Sequence, residues 1–345
     1  MSESTAWSPL KISVFRSLWI AALVSNIGTW MQNVGGVWLM TSLSDSPVMV
    51  ALMQTATSLP VFLVVLPSGA LADIVDRRKM LLFTQGWMLV AAALLAAITV
   101  MGFTTPWVLL GLTFALGLGS AMNMPAWQAI IPDLVPRKEL SSAIALNGIT
   151  FNIARAVGPA LGGAIVAASG PAAVFLLNAV SFLGVIAVVF GWAQAPRESS
   201  VPVEHVAEAV RSGMRYVFHA PALRSVLIRC WLFIMCAGAL WALIPLVARR
   251  ELGLGSIGFG VLLACMGTGA IIGALILPAI RRNVPMDVLL SVATVVFAVA
   301  LLGLAYVREI VLLGFLIICG GAAWMTVMVN FNVAVQTSAP SWARA

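Results

Sequence analysis

Five charged side chains fall within seven positions at Asp73-Ile-Val-Asp76-Arg77-Arg78-Lys79, in a 345-residue chain that is only 9% charged. Carboxylates and guanidinium groups this close can pair with one another. The cations alone would be explained as anchors, because Arg and Lys in short loops orient membrane hairpins toward the cytoplasm. Acids contribute little to that orientation, so Asp73 and Asp76 are not explained in that way.

Arg155 is a charge in an unfavourable place. It lies about fifteen residues into an apolar run, on the order of 22 Å along a helix at 1.5 Å per residue. That is too deep for easy snorkelling. A midplane Arg costs at least ~2.5 kcal/mol on insertion scales and faces the bundle interior or a watery cavity. Asn147, Phe151 and Arg155 recur at four-residue spacing and share one helix face. Two readings stay open: Arg155 pairs with backbone carbonyls or helix ends, or it meets an anionic substrate or a gating partner. Just beyond it, Gly158, Pro159, Gly162 and Gly163 combine a small-x-x-x-small face with a helix-bending proline. That combination suits close packing alone or a packed hinge.

The remaining candidates are uncharged. Asn26, Trp30 and Asn33 lie on one face of the first apolar run, flanked by Ser25, Thr29 and Gln32. Trp30 and Trp324, and less clearly Trp241, sit mid-span rather than at the interface belts where Trp gathers. Asn330 lies near Trp324. Aromatic and Met surface of this kind suits a polyspecific pocket, and equally suits helix packing.

Several chemistries are excluded. Cys230, Cys236, Cys265 and Cys319 lie in apolar runs without zinc spacing, and His205 and His219 share one polar linker, so no metal site is expected. No intramembrane His/Glu, Ser/Lys or paired-Asp constellation supports an enzyme. No Gly-x-x-x-x-Gly-Lys-Ser/Thr loop supports nucleotide binding, and no cofactor is implied. The net charge of +7 reads as membrane orientation, not nucleic-acid binding. Asp45, Asp133, Glu139, Glu251, Asp287 and Glu309 all stand at or near span ends, so the buried carboxylate usual in proton pumps is absent here.

The elements that must position these residues are membrane helices. The chain is 61% hydrophobic, with a mean hydropathy of +1.05. Ten apolar spans are predicted at 16–40, 48–71, 80–102, 107–131, 141–168, 172–193, 223–248, 257–280, 286–306 and 310–335. They are too long and too continuously apolar for barrel strands. Most of the 19 Lys and Arg fall on one side, which assigns both termini to the cytoplasm. Residues 194–222 form the long polar connection, with apolar residues at helical spacing from Val203 to Phe218, and are predicted to hold an amphipathic helix on the inner membrane face. The domains expected are therefore 1–193 with six helices, the linker 194–222, and 223–345 with four. Gly69 precedes Arg77 and Arg78 as Gly273 precedes Arg281 and Arg282, an echo between the two halves. Pro125, Pro132 and Pro136 are expected to break or bend the fourth span near its inner end.

The pattern Gly69-x-Leu-Ala-Asp73-x-x-x-Arg77-Arg78 resembles the loop signature between the second and third helices of the major facilitator superfamily. It departs at Ile74, where many members carry Arg, and at Asp76, where many carry Gly. The Gly158-Pro159…Gly162-Gly163 segment resembles the antiporter signature of fifth helices. Asn123 to Pro136, followed by Leu140 to Asn147, resembles the bacterial drug and siderophore exporter branch, of the macrolide-efflux and enterobactin-exporter type. The resemblance implies an all-α, pseudo-symmetric bundle of twelve transmembrane helices, ten of them present in a fragment that stops in a loop leading to the eleventh. It implies a gate latched by Gly69, Asp73, Asp76, Arg77 and Arg78, and a midplane cavity lined by the first, fourth, seventh and tenth helices. Asn26, Trp30, Asn33, Trp241, Trp324 and Asn330 fall on three of these. With Asn147 and Arg155 they make the expected cavity set. The fourth-helix Arg of many proton antiporters is absent, with Thr113, Phe114 and Ala115 in its region. The implied function is secondary, proton-coupled export of small amphipathic molecules across a bacterial inner membrane, with the lipid bilayer, a small molecule and protons as partners. A non-transporting remnant, or a facilitator or importer of the same fold, is the alternative.

Overall fold

A computed structural model describes residues 7–74, 76–192 and 220–338, without the side chains of 65–74, 221, 222 and 336–338. The linker helix expected in 194–222 falls almost wholly outside them. Among the described residues ten long helices run in chain order: α1 Ser13–Leu43, α2 Pro47–Ile74, α3 Arg77–Val100, α4 Pro106–Leu134, α5 Leu140–Ser169, α6 Pro171–Gly191, α7 Pro221–Leu246, α8 Ser256–Ile280, α9 Met286–Tyr306 and α10 Ile310–Ser338. Each matches one predicted span, with α3, α6 and α7 ending two residues short of it. No strand occurs among the described residues.

Local chemistry sets the helix starts. Pro47, Pro106, Pro171 and Pro221 stand at first helical positions, where no N–H is needed and φ is already helical. Thr105 caps α4, its Oγ1 accepting from the Val108 N–H at 3.3 Å. Gly170, at φ +77°, turns the chain between α5 and α6 in a conformation that disfavours a side chain.

Of the three prolines expected to break or bend the fourth span, two leave the helix unbroken and the third follows its end. Pro125 and Pro132 both lie inside α4, which continues to Leu134, and the chain turns only at Val135 and Pro136. In hydrocarbon a break would strand many backbone groups, whereas each proline removes one helical bond that neighbouring groups can offset.

Nine of the ten helices are long and apolar enough to cross a bilayer. The exception is α1, whose mean hydropathy is lowered by Ser25, Asn26, Thr29, Gln32 and Asn33.

The chain divides into two compact units, one of Met1–Pro202 with Gly255–Gly260, the other of Val203–Leu254 with Val261–Ala345. In the first unit α1 packs on α5 and α6, α2 on α4, and α3 on α4 and α6. Leu81, Ala126, Ile130, Ala143 and Leu146 form its tightest core, near the ends of α3, α4 and α5 that flank the charged turns. In the second unit α10 packs on α9 and α7. It also approaches α8 so closely that a Cβ on Gly269 would strike the Ile318 carbonyl, and one on Gly321 that of Met266.

Candidate functional site

The charged turn is the most densely bonded polar region of the first unit. Gly69 and Asp73 lie in the last turns of α2, and their side chains are outside those described. Asp76 caps α3, its Oδ1 accepting from the Lys79 N–H at 3.2 Å. Arg77 Nη1 donates to the Ala129 carbonyl at 2.7 Å and to Asp133 Oδ2 at 3.1 Å, both near the end of α4. Arg78 Nε donates to the Val189 carbonyl at 3.1 Å and Nη2 to that of Phe190, whose ring lies 5.8 Å from the guanidinium carbon. Those carbonyls belong to the last turn of α6, where the helix leaves acceptors unpaired and its dipole favours a cation. One Asp-Arg-Arg run thus fastens the start of α3 to the ends of α4 and α6. Asp133 is the partner that sequence reading missed: it stood out only as an edge acid, 56 residues from Arg77.

A second cluster sits where α1 crosses α5. Arg155 is at the midpoint of α5, and its guanidinium carbon lies 6.0 Å from the Trp30 ring. Trp30 meets Phe151 edge-on at 6.2 Å. The crossing is close because of the small residues: a Cβ on Gly158 would stand 2.5 Å from Trp30 Cβ, and one on Gly162 2.8 Å from Met31 Cα. Pro159 is buried beside them, and the Gly163 carbonyl accepts from Ser256 Oγ at 3.1 Å. Arg155, Trp30, Gly158 and Gly162 are therefore brought together. Asn147 is not part of this group. Its Oδ1 accepts from Trp127 Nε1 at 3.0 Å, tying α5 to α4 above an apolar crevice walled by Phe15, Leu18 and Ile131.

A cavity of about 180 Å³ opens inside the first unit among α1, α2, α3, α4 and α6. Of the expected cavity set only Asn33 lines it. Asn26 instead donates to the Ala22 carbonyl of its own helix at 2.8 Å. The polar wall is made by residues that sequence reading passed over or left as flanks: Thr29, Gln32, Thr113 and Asn178. Asn178 Nδ2 donates to Gln32 Oε1 at 2.5 Å, and Asn178 Oδ1 accepts from Ser181 Oγ at 3.2 Å. The signal that could have found it is a single Asn in the otherwise strongly apolar α6.

In the second unit the expected candidates are packed among rings. Trp324 touches Trp241 at 6.4 Å, Phe297 at 6.0 Å and Phe233 at 5.8 Å between ring centroids. Asn330 is fully buried and donates to the Thr326 carbonyl one turn back at 2.7 Å. Among the described residues no group of His, Cys, Asp and Glu could hold a metal ion.

Residues 4–345 match a family model described as transmembrane secretion effector. Among curated relatives, the staphyloferrin A transporter of Staphylococcus aureus is 24% identical over 288 residues, covering 81% of this chain and 70% of its own. The multidrug efflux pump Tap of Mycolicibacterium fortuitum is 25% identical, covering 99% and 84%. The enterobactin exporter EntS of Escherichia coli O1:K1 is 27% identical, covering 84% and 70%. Among solved structures, a bacterial homologue of the lysosomal transporter Spinster, inward-facing and unoccupied, superposes with a TM-score of 0.73 at 15% identity, covering 96% of this chain and 76% of its own. At that identity the likeness is one of fold.

Proposed function

Because the chain belongs to the transmembrane secretion effector family of the major facilitator superfamily, whose members are transporters and not enzymes, we propose that it is a secondary exporter of small amphipathic molecules. It works by alternating access, driven by protons, across the inner membrane of a bacterium, with its N-terminus in the cytoplasm. The observation that carries this reading is the match over residues 4–345, together with relatives named as siderophore transporter, siderophore exporter and drug efflux pump.

Arg155 and Trp30 are the residues proposed to meet the transported molecule. A guanidinium beside an indole in mid-span offers an anionic or electron-rich group a charge, and offers its apolar body a ring face. The α1–α5 crossing at Gly158 and Gly162 lets those helices move as a close-packed pair. The Asp73, Asp76, Arg77, Arg78 turn acts as the gate latch, with Asp133 as a further member. No carboxylate stands in mid-span within residues 1–345, so in this reading the coupling proton is carried by Asp73, by another edge acid, or by a group outside these residues.

Inside-out membrane vesicles with an imposed pH gradient provide the test. A radiolabelled macrolide or catecholate siderophore should accumulate in vesicles holding this chain, and a protonophore should abolish the accumulation. Arg155→Gln should reduce accumulation at least tenfold for the anionic compound and less for the macrolide. Asp73→Asn should stop transport without changing the amount of protein inserted. Accumulation that ignores the gradient would make the protein a facilitator, and accumulation only in right-side-out vesicles would make it an importer.

A further inference from the structure

The cavity inside the first unit has a chemistry different from the Arg155 cluster. Gln32 is 6% exposed, Asn178 2% and Thr113 8%, so its polar wall is built from buried side chains. Among the described residues no Asp, Glu, Lys, Arg or His lines it. The remaining wall includes Met53, Met88, Phe175 and Phe182.

Hydrogen-bond accounting defines what would fit. Gln32 Oε1 accepts from Asn178 Nδ2, and the Ser181 hydroxyl is shared between the Asn178 carbonyl and Oδ1. Gln32 Nε2 makes no hydrogen bond among the described residues, while the Thr29 and Thr57 hydroxyls donate to carbonyls of their own helices. The wall therefore offers free amide donors at Gln32 beside hydroxyl oxygens. Gly28 makes the arrangement possible: a Cβ there would stand 2.7 Å from Asn178 Oδ1. An ion entering this space would lose its water with no opposite charge to replace it, which strongly disfavours it. An uncharged group carrying hydrogen-bond acceptors would satisfy the free donors and cover the apolar wall.

Lining separates the two places, since neither Arg155 nor Trp30 faces this cavity. Its walls run from Phe175, four residues from the helix end at Pro171, to Thr29 and Ser120, each fourteen residues from the ends at Leu43 and Pro106, or roughly 6–21 Å of helical rise.

We propose that this cavity is a binding site, held wholly by the first unit, for an uncharged single-ring molecule that presents acceptors, such as a lactam, lactone or polyol. The size argument is direct: an engineered apolar cavity of about 150 Å³ takes up benzene, and this one measures about 180 Å³. The site goes beyond the export reading and stands whether or not the chain exports.

The test is equilibrium binding of ε-caprolactam to the detergent-purified full chain, followed by saturation-transfer NMR, with hexanoate as the charged open-chain counterpart. Caprolactam should bind saturably, and hexanoate at least tenfold more weakly. Gln32→Leu, which removes the donor, should weaken caprolactam about tenfold. Ser120→Trp, placed at the exposed edge of the cavity, should abolish binding, and the lipid-facing Val180→Ala should leave it unchanged. Thermal unfolding identifies any variant that fails to fold, and Ser120→Trp leaves the buried amide pair intact should Gln32→Leu do so. Equal affinity for hexanoate, unchanged binding in Ser120→Trp, or no saturable binding to the wild-type chain would each overturn the proposal, the last by showing a cavity that holds only water.

Discussion

The two Arg-Arg turns share their spacing from a preceding glycine and almost nothing else. In the first unit, Arg77 and Arg78 are half-buried and bonded to α4 and α6. In the second, Arg281 and Arg282 are exposed and make no side-chain hydrogen bond among the described residues. The difference lies in the surroundings: among the described residues an Asp cap, Asp133 and a helix C-terminus bond the first pair and no such groups bond the second. The interiors diverge in the same direction. The first unit holds amides and hydroxyls around a cavity, whereas the second packs Trp241, Trp324, Phe233 and Phe297 ring against ring. A repeated sequence pattern therefore marks a repeated turn, while the use of that turn depends on partners far away in sequence.

Substitutions can break or sharpen this contrast. The largest effect is expected in the aromatic interior. Phe297 is 2% exposed, and Phe297→Ala should remove about 3–5 kcal/mol of stability, as large-to-small aromatic changes do. The check is the thermal unfolding midpoint of the purified protein, and an unchanged midpoint would mean the rings are not a packed core. Arg77→Gln comes next. Loss of charge-assisted bonds to Ala129 and Asp133 should destabilise by about 1.5–3 kcal/mol, while Arg281→Gln should stay within about 0.5 kcal/mol. Equal effects in the two variants would erase the distinction between the turns. Asp76→Ala should cost about 1 kcal/mol, and Asp76→Ser should restore most of it, because Ser also caps a helix. No rescue by Ser would mean that Asp76 acts through its charge, as the latch reading of the loop expects. The smallest effect belongs to the amide pair. Gln32→Leu together with Asn178→Leu should be nearly neutral, since both partners leave at once, whereas Asn178→Leu alone should destabilise by about 1–3 kcal/mol. A two-variant cycle of unfolding midpoints measures that gap.

Much of the fold was legible because hydrocarbon permits few solutions. A run as apolar as Pro171–Gly191 can only be a spanning helix, and nine such runs, with the more polar α1, gave the ten long helices of the described residues. The α1–α5 cluster was partly legible for a related reason. Small residues four apart mark a close helix crossing, so Gly158 and Gly162 pointed to a partner helix without naming it. The partners themselves were hidden. Nothing local links Gln32 to Asn178, 146 positions on, or Arg77 to Asp133. Asn147 misled because it shares a face with Arg155 yet lies two turns away, where Trp127 claims its oxygen. The prolines of the fourth span announced a break or a bend without saying which: α4 runs unbroken through Pro125 and Pro132 and ends just before Pro136.

The Gln32–Asn178 bond also sets an order of events during synthesis. Helix α1 leaves the ribosome before α2–α10 and is, among the described residues, the one long helix too polar to meet the hydropathy of a spanning segment. Its buried amide cannot find its partner until 146 more residues have been made, a wait of roughly 7–30 s at 5–20 residues per second. Through that interval α1 must be sheltered by the insertion machinery or sit shallow at the membrane surface. A helix made well before α6 would then settle only with it, and the arrival of α6 would be the moment at which the first unit closes.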